Sequence, residues 1–371
     1  MSLAGVVAAL AVFAFGIVTV FPGSIKLRLV DRVPMDDARV GRMITVWQFT
    51  TLILILFVGP LLDNIGHKYV LAAGFIVVAL GIWAFAFAQQ PSAAFLASML
   101  LGIGGSCINA GGNTLLTALN PANPSAASNI GNAFFGLGAF TVPFVIAFLF
   151  QRISYTAALS VFGVISAAGA IPALLATYPA VSSGTNLSSM VSLLGNPAVL
   201  LSGFILFCYV GLEVSSASWT TTYLRKTGFA EKSASIVFSL FWIAMIAGRL
   251  ITARFVTTAI GKPTIQAVAL AAAAVLLLMA LTRNKIVAGG LAVLLGFFYA
   301  PIFPTTVGLT YSKVGGANFG SVFAIIFAIA LLGPSTIPAM IGYVSKTRSI
   351  HAGYGLMVLL AAVLFLLAFG F

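Results

Sequence analysis

The sequence predicts an all-α membrane protein whose twelve transmembrane helices form two pseudo-symmetric six-helix bundles. Three observations predict it. Of the 371 residues, 61% are hydrophobic and only 6% are charged, a composition from which no water-soluble domain can be built. Apolar stretches of roughly 20 residues, the length at which a helix crosses a bilayer, recur along the whole chain between short polar gaps. Segments of the first half also recur in the second at a nearly constant offset. The apolar runs are continuous and lack the alternation of barrel strands, so they read as helices.

The spans follow in order. The first, 3–25, lacks the basic flank of a signal peptide and has a counterpart in mid-chain, so it reads as a span. Spans 40–62 and 69–89 are separated by the turn GPLLDNIGHK. Span 92–117 leads into CINAGGNTLLTALNP, and 126–150 contains Gly136, Gly138 and Pro143, which predict an interrupted helix. Span 154–177 completes six. The Ser/Gly-rich stretch 179–196, which contains AVSSGTNLSSMVSLLG, carries no charge and divides six spans from six, as a cytoplasmic linker would. The domains expected are therefore 1–178 and 197–371. Spans 197–224, 234–257, 263–282, 286–311, 318–344 and 352–371 make up the second half, with Gly333-Pro334 a second expected interruption. Cys107 and Cys208 both lie inside spans, where packing is their expected part.

Sliding the chain by 194 positions sets LVDRVPMDDA at 29–38 on YLRKTGFAEK at 223–232, and Leu100-Leu101-Gly102 on Leu294-Leu295-Gly296. A shift of 189 sets GNAFFGLGAF at 131–140 on GSVFAIIFAI at 320–329. The shared offset argues for an internal duplication. Repeated halves are the plan of a carrier with a central site.

The turn at 59–68 carries a resemblance. With Gly59, Leu61, Asp63, Gly66 and Lys68 it resembles the loop between spans two and three of the major facilitator superfamily, departing from it at Asn64 and His67. The resemblance implies the major facilitator fold and a part for Gly59, Asp63, Gly66 and Lys68 in conformational gating. Glycines permit the tight turn, and an aspartate there can face the positive N-terminal end of a neighbouring helix. The corresponding stretch ARFVTTAIGK has Thr257 where an acid is expected. YVGLEVSSASWTTTYL at 209–224 and IFPTTVGLTYSKVGGANFGSVFAI at 302–325 further resemble the fucose/galactose/glucose:cation symporter family within that superfamily.

Of the six acids, Asp31, Asp36, Asp37, Asp63 and Glu231 lie at gaps, and Glu213 alone sits near mid-membrane. An ionised side chain there costs at least ~2.5 kcal/mol unless it is protonated, paired or hydrated, so Glu213 is either a protonated acid bonded to a neighbouring serine or a group that couples a cation or holds a substrate hydroxyl. Ser216 and Thr220 share its helix face. Asn109 and Asn113 lie one turn apart on span four, and such amides both donate and accept, which suits a polyol, although they can equally knit helices together. The resembling family often carries an acid and an asparagine four residues apart at this place; the first is Asn109 here, so one titratable group is missing. Gln48 and Asn132 are further polar groups at plausible depth, and Trp47, Trp219, Trp242 and Tyr299 offer flat faces to a sugar ring or pack the core.

No G-x-x-x-x-G-K-[ST] loop excludes an ATP-driven pump, and the two histidines and scattered acids assemble no catalytic or metal cluster for an enzyme. No ring of like groups suggests a channel. The net charge of +12 is spread over many gaps and points to lipid headgroups rather than nucleic acid. The expected activity is inward secondary transport of a neutral, hydroxyl-rich solute, a monosaccharide, with proton or sodium coupling at Glu213 and no cofactor or metal. An uncoupled facilitator or exporter of an amphipathic compound, or a non-transporting sensor, are the alternatives. A monomer in the inner (plasma) membrane with both termini cytoplasmic is expected, because the resembling family keeps the Asp63 loop inside. The charge count points the other way: thirteen of the 18 Lys and Arg lie in gaps then facing outward, and only Lys68, Arg249, Arg254, Lys262 and Lys313 in the others.

Overall fold

A computed structural model describes residues 2–180, 191–314 and 318–371. Among them, twelve helical segments are long and apolar enough to cross a membrane, in agreement with the apolar runs. Helices α1 (Leu3–Val30), α2 (Asp37–Ile65), α3 (His67–Phe87), α4 (Pro91–Ala118) and α5 (Pro124–Arg152) form the first five spans; α6 (Tyr155–Ala168) and α7 (Ala170–Leu175) share the sixth. Then come α8 (Pro197–Lys226), α9 (Glu231–Phe255), α10 (Thr258–Leu281), the divided tenth span α11 (Lys285–Tyr299) and α12 (Ile302–Val314), α13 (Phe319–Thr347), and α14 (Ile350–Leu367). Local chemistry sets several starts. Asp36 accepts the Arg39 N–H at 2.7 Å to begin α2, Asn284 accepts from Ile286 and Val287 to begin α11, and Ser349 accepts from Ala352 to begin α14. The expected linker 179–196 falls largely outside the described residues.

The interruptions differ from expectation. α5 runs through Pro143, and α13 runs through both Pro334 and Pro338. A proline removes one ladder bond, and packing within a membrane bundle tolerates that loss. The breaks come instead in spans six and ten. The Gly169 N–H is shared between Ile165 and Ser166 carbonyls three residues before Pro172, and Ala300 N–H turns back to Phe297 just before Pro301, with Pro304 following. In span ten two closely spaced missing donors, Pro301 and Pro304, end the helix, whereas in span six the break falls at Gly169 ahead of the single Pro172.

The chain divides into two compact units. Met1–Leu119, Phe134–Met190 and Gly316–Ala324 make the first, and Asn120–Ala133, Val191–Gly315 and Ile325–Phe371 the second. In the first, α4 packs on α1, α2 and α3, with α6 on α3. In the second, α11 packs on α8, α9 and α10, with α14 on α10. The duplication is thus repeated in helix pairing, and it extends to single glycines. A Cβ on Gly16 would strike the Phe135 carbonyl and one on Gly138 the Phe13 carbonyl, so α1 and α5 cross at backbone contact. At an offset of 195, a Cβ on Gly211 would strike Ile337 and one on Gly333 the Phe207 carbonyl, where α8 meets α13. Gly102 lies against the Trp47 carbonyl, and Gly296, 194 positions on, against that of Phe241, itself 194 beyond Trp47. Small residues let membrane helices approach this closely. Large apolar side chains such as Phe57, Phe87 and Ile286, each more than 60% exposed, cover the outer surface, where acyl chains replace water.

Candidate functional site

Glu213 lies on α8, and its Oε1 accepts a hydrogen bond from the Tyr209 hydroxyl, one turn earlier, at 3.0 Å. Arg249 Nη2 on α9 approaches the same oxygen at 3.4 Å, and Arg249 Nη1 donates to the Asn132 carbonyl of α5 at 2.8 Å. The Arg249 side chain is 2% exposed and that of Glu213 14%. This corrects the sequence reading, which counts Arg249 among the gap residues. Arg254 closes the last turn of α9, whereas Arg249 sits five residues deeper and faces Glu213. Two charges 3.4 Å apart attract by about 5 kcal/mol at an effective dielectric of 20, which is comparable to the several kcal/mol each loses on leaving water. The pair therefore adds little to stability, and its presence needs a functional reason.

A chain of aromatic contacts runs on from Tyr209. Tyr299 stands edge-on to Tyr209 at 5.9 Å and to Phe241 at 6.3 Å, and Phe241 continues to Trp242 at 5.2 Å. Ser216 donates weakly to the Tyr299 hydroxyl at 3.4 Å, and Thr220 bonds the Tyr354 hydroxyl at 3.1 Å, so both hydroxyls on the Glu213 face are engaged by tyrosines. Trp219 is turned to packing, with its indole N–H on the Pro338 carbonyl and Gly342 against its ring. The Asn132 amide donates to the Ser128 carbonyl, which leaves its own backbone carbonyl as the group that meets Arg249. Sequence reasoning also missed Asn129, fully buried and 3.3 Å from the Thr305 hydroxyl.

The first unit holds the other candidates. Asn113 Nδ2 donates at 2.9 Å to both the Oδ1 and the backbone carbonyl of Asn109. Asn109 Nδ2 and Asn113 Oδ1 are buried without partners, so one donor and one acceptor stand side by side. A hydroxyl can satisfy both at once. On α2, Gln48 is half-buried, and the neighbouring Trp47 is buried with its indole N–H unpartnered.

At the end of α2, Asp63 accepts from the Gly320 N–H at 2.8 Å, the Ser321 N–H at 2.8 Å and the Ser321 hydroxyl at 2.6 Å. These are the first-turn donors of α13, so the carboxylate faces a helix N-terminus, the geometry the sequence pattern suggests. Gly59, one turn earlier, leaves only 2.6 Å between a would-be Cβ and the Gly320 carbonyl. Gly66, at φ 80°, is the single residue joining α2 to α3, and only glycine adopts that conformation freely. His67 bonds the Thr114 hydroxyl at 3.0 Å; since that hydroxyl donates to the Ala110 carbonyl, the imidazole N–H is the donor. Lys68 is half-buried beside it.

Twelve spans in a duplicated plan, with a desolvated ion pair and unsatisfied amides inside them, define a multi-pass membrane carrier. The chain belongs to the Major Facilitator Superfamily, whose family model matches residues 1–314, and so it is a transporter rather than an enzyme. It is 24% identical over 353 residues to the uncharacterized MFS-type transporter YfkL of Bacillus subtilis, covering 91% of this chain and 88% of that one. It is 26% identical over 170 residues to bypass of stop codon protein 6 of Saccharomyces cerevisiae, 43% of this chain, and spans about a third of that relative's length, 34%. Among solved structures, the transporter FucP in its outward conformation shares the fold with a TM-score of 0.82 at 17% identity, covering 98% of this chain and 97% of that one. The human organic anion transporter MFSD10 (TETRAN) does so with 0.74 at 15% identity, covering 99% and 98%.

Proposed function

We propose that this transporter moves a small, hydroxyl-rich solute of monosaccharide size inward together with a proton carried by Glu213. The buried pair of Glu213 and Arg249 is the observation that carries the reading, because a carboxylate kept in a span at no net gain in stability is explained by its changing protonation state. The guanidinium beside it favours a proton over sodium. A sodium ion needs several oxygen ligands, and Arg249 repels it, whereas a proton simply converts the carboxylate to a hydrogen-bond donor. Asn109, Asn113 and Gln48 are the candidate solute contacts of the first unit, the two asparagines through their unpartnered amide groups, and Asn132, Tyr299 and Trp242 are those of the second. Trp219 packs against Pro338 and Gly342 and serves the fold there. Asp63, Gly59, Gly66 and Lys68 form the gating turn.

The fold is shared with a fucose:proton symporter of E. coli, FucP, in a crystal structure at TM-score 0.77 and 19% identity, which makes this solute class compatible with the architecture. We further place residues 1–178 and 197–371 as the two bundles, 179–196 as the connecting linker, and the chain in the plasma membrane with both termini inside. In proteoliposomes, an inward proton gradient accumulates the solute through the wild-type chain. Glu213→Gln is expected to keep counterflow exchange but lose gradient-driven accumulation by about tenfold or more, since the glutamine can neither take nor release the proton. Unchanged accumulation by this variant would overturn the reading.

A further inference from the structure

Arg249 is the group whose chemistry the proton alone does not use. Its guanidinium presents five N–H donors in a fixed fork. One Nη1 donor goes to the Asn132 carbonyl at 2.8 Å, and Nη2 reaches Glu213 Oε1 at 3.4 Å, beyond the 2.7–2.9 Å of a well-made charged bond. Nε is buried and has no partner. The edge formed by Nε and Nη2 is the side on which arginine grips a carboxylate with two parallel bonds, and here it is half-used by a single distant oxygen. The expectation of a neutral solute rests on the scarcity of buried charge, and a buried arginine removes that ground.

From this we infer that the solute carries a carboxylate, bound by the Nε–Nη2 edge of Arg249, so that the substrate class is a hydroxylated monocarboxylate such as a sugar acid. Charge balance then explains the coupling. With Glu213 ionised and the site empty, glutamate and arginine sum to zero. An anion alone makes the site negative, and a proton alone leaves Arg249 uncompensated and the site positive. When both are loaded, the proton sits on Glu213, the carboxylate replaces it as the counter-ion of Arg249, and the sum returns to zero. Only the empty and doubly loaded states are balanced in a low-dielectric interior, which enforces one proton per anion. For a neutral solute the same pair would give no such linkage, since the protonated site is positive with or without it. The other ionisable groups near Glu213 are the hydroxyls of Tyr209 on its own helix, Tyr299 on α11 and, farther along, Tyr354 on α14; phenols carry no charge near neutral pH and leave the sum unchanged.

This inference rests on the proposed proton role of Glu213, and the experiment separates the two. Purified protein in liposomes is offered labelled D-gluconate and D-glucuronate, with D-glucose and L-fucose as neutral probes, under a pH gradient and separately under a potassium-valinomycin potential. Carboxylate uptake should follow the pH gradient and ignore the potential. In Glu213→Gln, carboxylate counterflow should persist without pH dependence. Arg249→Gln should lower carboxylate exchange by about 30-fold or more, and Arg249→Lys, which keeps the charge but not the fork, should restore part of it. No exchange of either carboxylate overturns the inference, as does proton-driven uptake of the neutral sugars with a response to potential, though that result leaves the proton role standing. Carboxylate exchange indifferent to pH in both wild type and Glu213→Gln supports the arginine site and overturns the proton role instead.

Discussion

At the scale of residues, the pair on α8 and α9 behaves as one unit. Removing Arg249 leaves a carboxylate buried without a counter-charge, and such half-pairs cost about 3–5 kcal/mol. We expect Arg249→Leu to lower the unfolding temperature in detergent markedly, and Glu213→Gln added to it to recover most of the loss, a non-additivity read directly from a double-mutant cycle. Simple additivity would show that the two groups do not sense each other. Glu213 was legible from sequence because it is the sole acid in the middle of an apolar run. Arg249 was not, because GRLITARF places it near Arg254, and the eye assigns both to the end of the helix. The missing signal was physical. A lone intramembrane acid calls for a cation on another span, and Arg249, lying a turn and a half inside α9, is the basic residue that meets the demand.

Helices and their crossings were read well in number and poorly in interruption. Apolar length alone identified twelve spans, because a bilayer imposes the same length on each. Pro143 and Pro334 do not break their helices, since a single missing donor is absorbed by packing that a sequence does not display. What glycine does there is steric. Gly138→Ala and Gly333→Ala, which force a methyl against the Phe13 and Phe207 carbonyls, are each expected to cost about 1–3 kcal/mol. Gly290→Ala, on the exposed side of α11 with no atom within 4 Å, should instead stabilise by about 0.5–1 kcal/mol through reduced backbone freedom in the unfolded chain. Thermal unfolding of the three variants reads the sign directly. Equal effects at all three positions would contradict backbone contact at the crossings. The duplication that offsets of 194 and 189 suggested is seen more sharply in these contacts, at 194 and 195, because close approach selects glycine where hydrophobic matches are interchangeable.

For the whole molecule, the basic residues divide unevenly between the two sets of gaps. With Arg249 buried, the five basic residues on one side become four against thirteen on the other, which deepens the conflict with the positive-inside rule. The placement proposed above keeps the 59–68 turn on the cytoplasmic side. A phosphatase or fluorescent reporter fused after Phe371 tests it: fluorescence inside and no phosphatase activity outside are expected, and the opposite pair of results would invert the topology. Orientation was the least legible property because the basic residues of the gaps point one way and the 59–68 turn points the other.

Asp63 makes the two repeats unequal. Three donors from the first turn of α13 converge on its carboxylate, while Thr257, at the matching place in the second half, offers no side-chain cap to α10. The repeat therefore has no spare for this carboxylate: Asp63→Asn would remove a charged acceptor of three bonds, and no second anchor of the same kind stands at Thr257 to replace it.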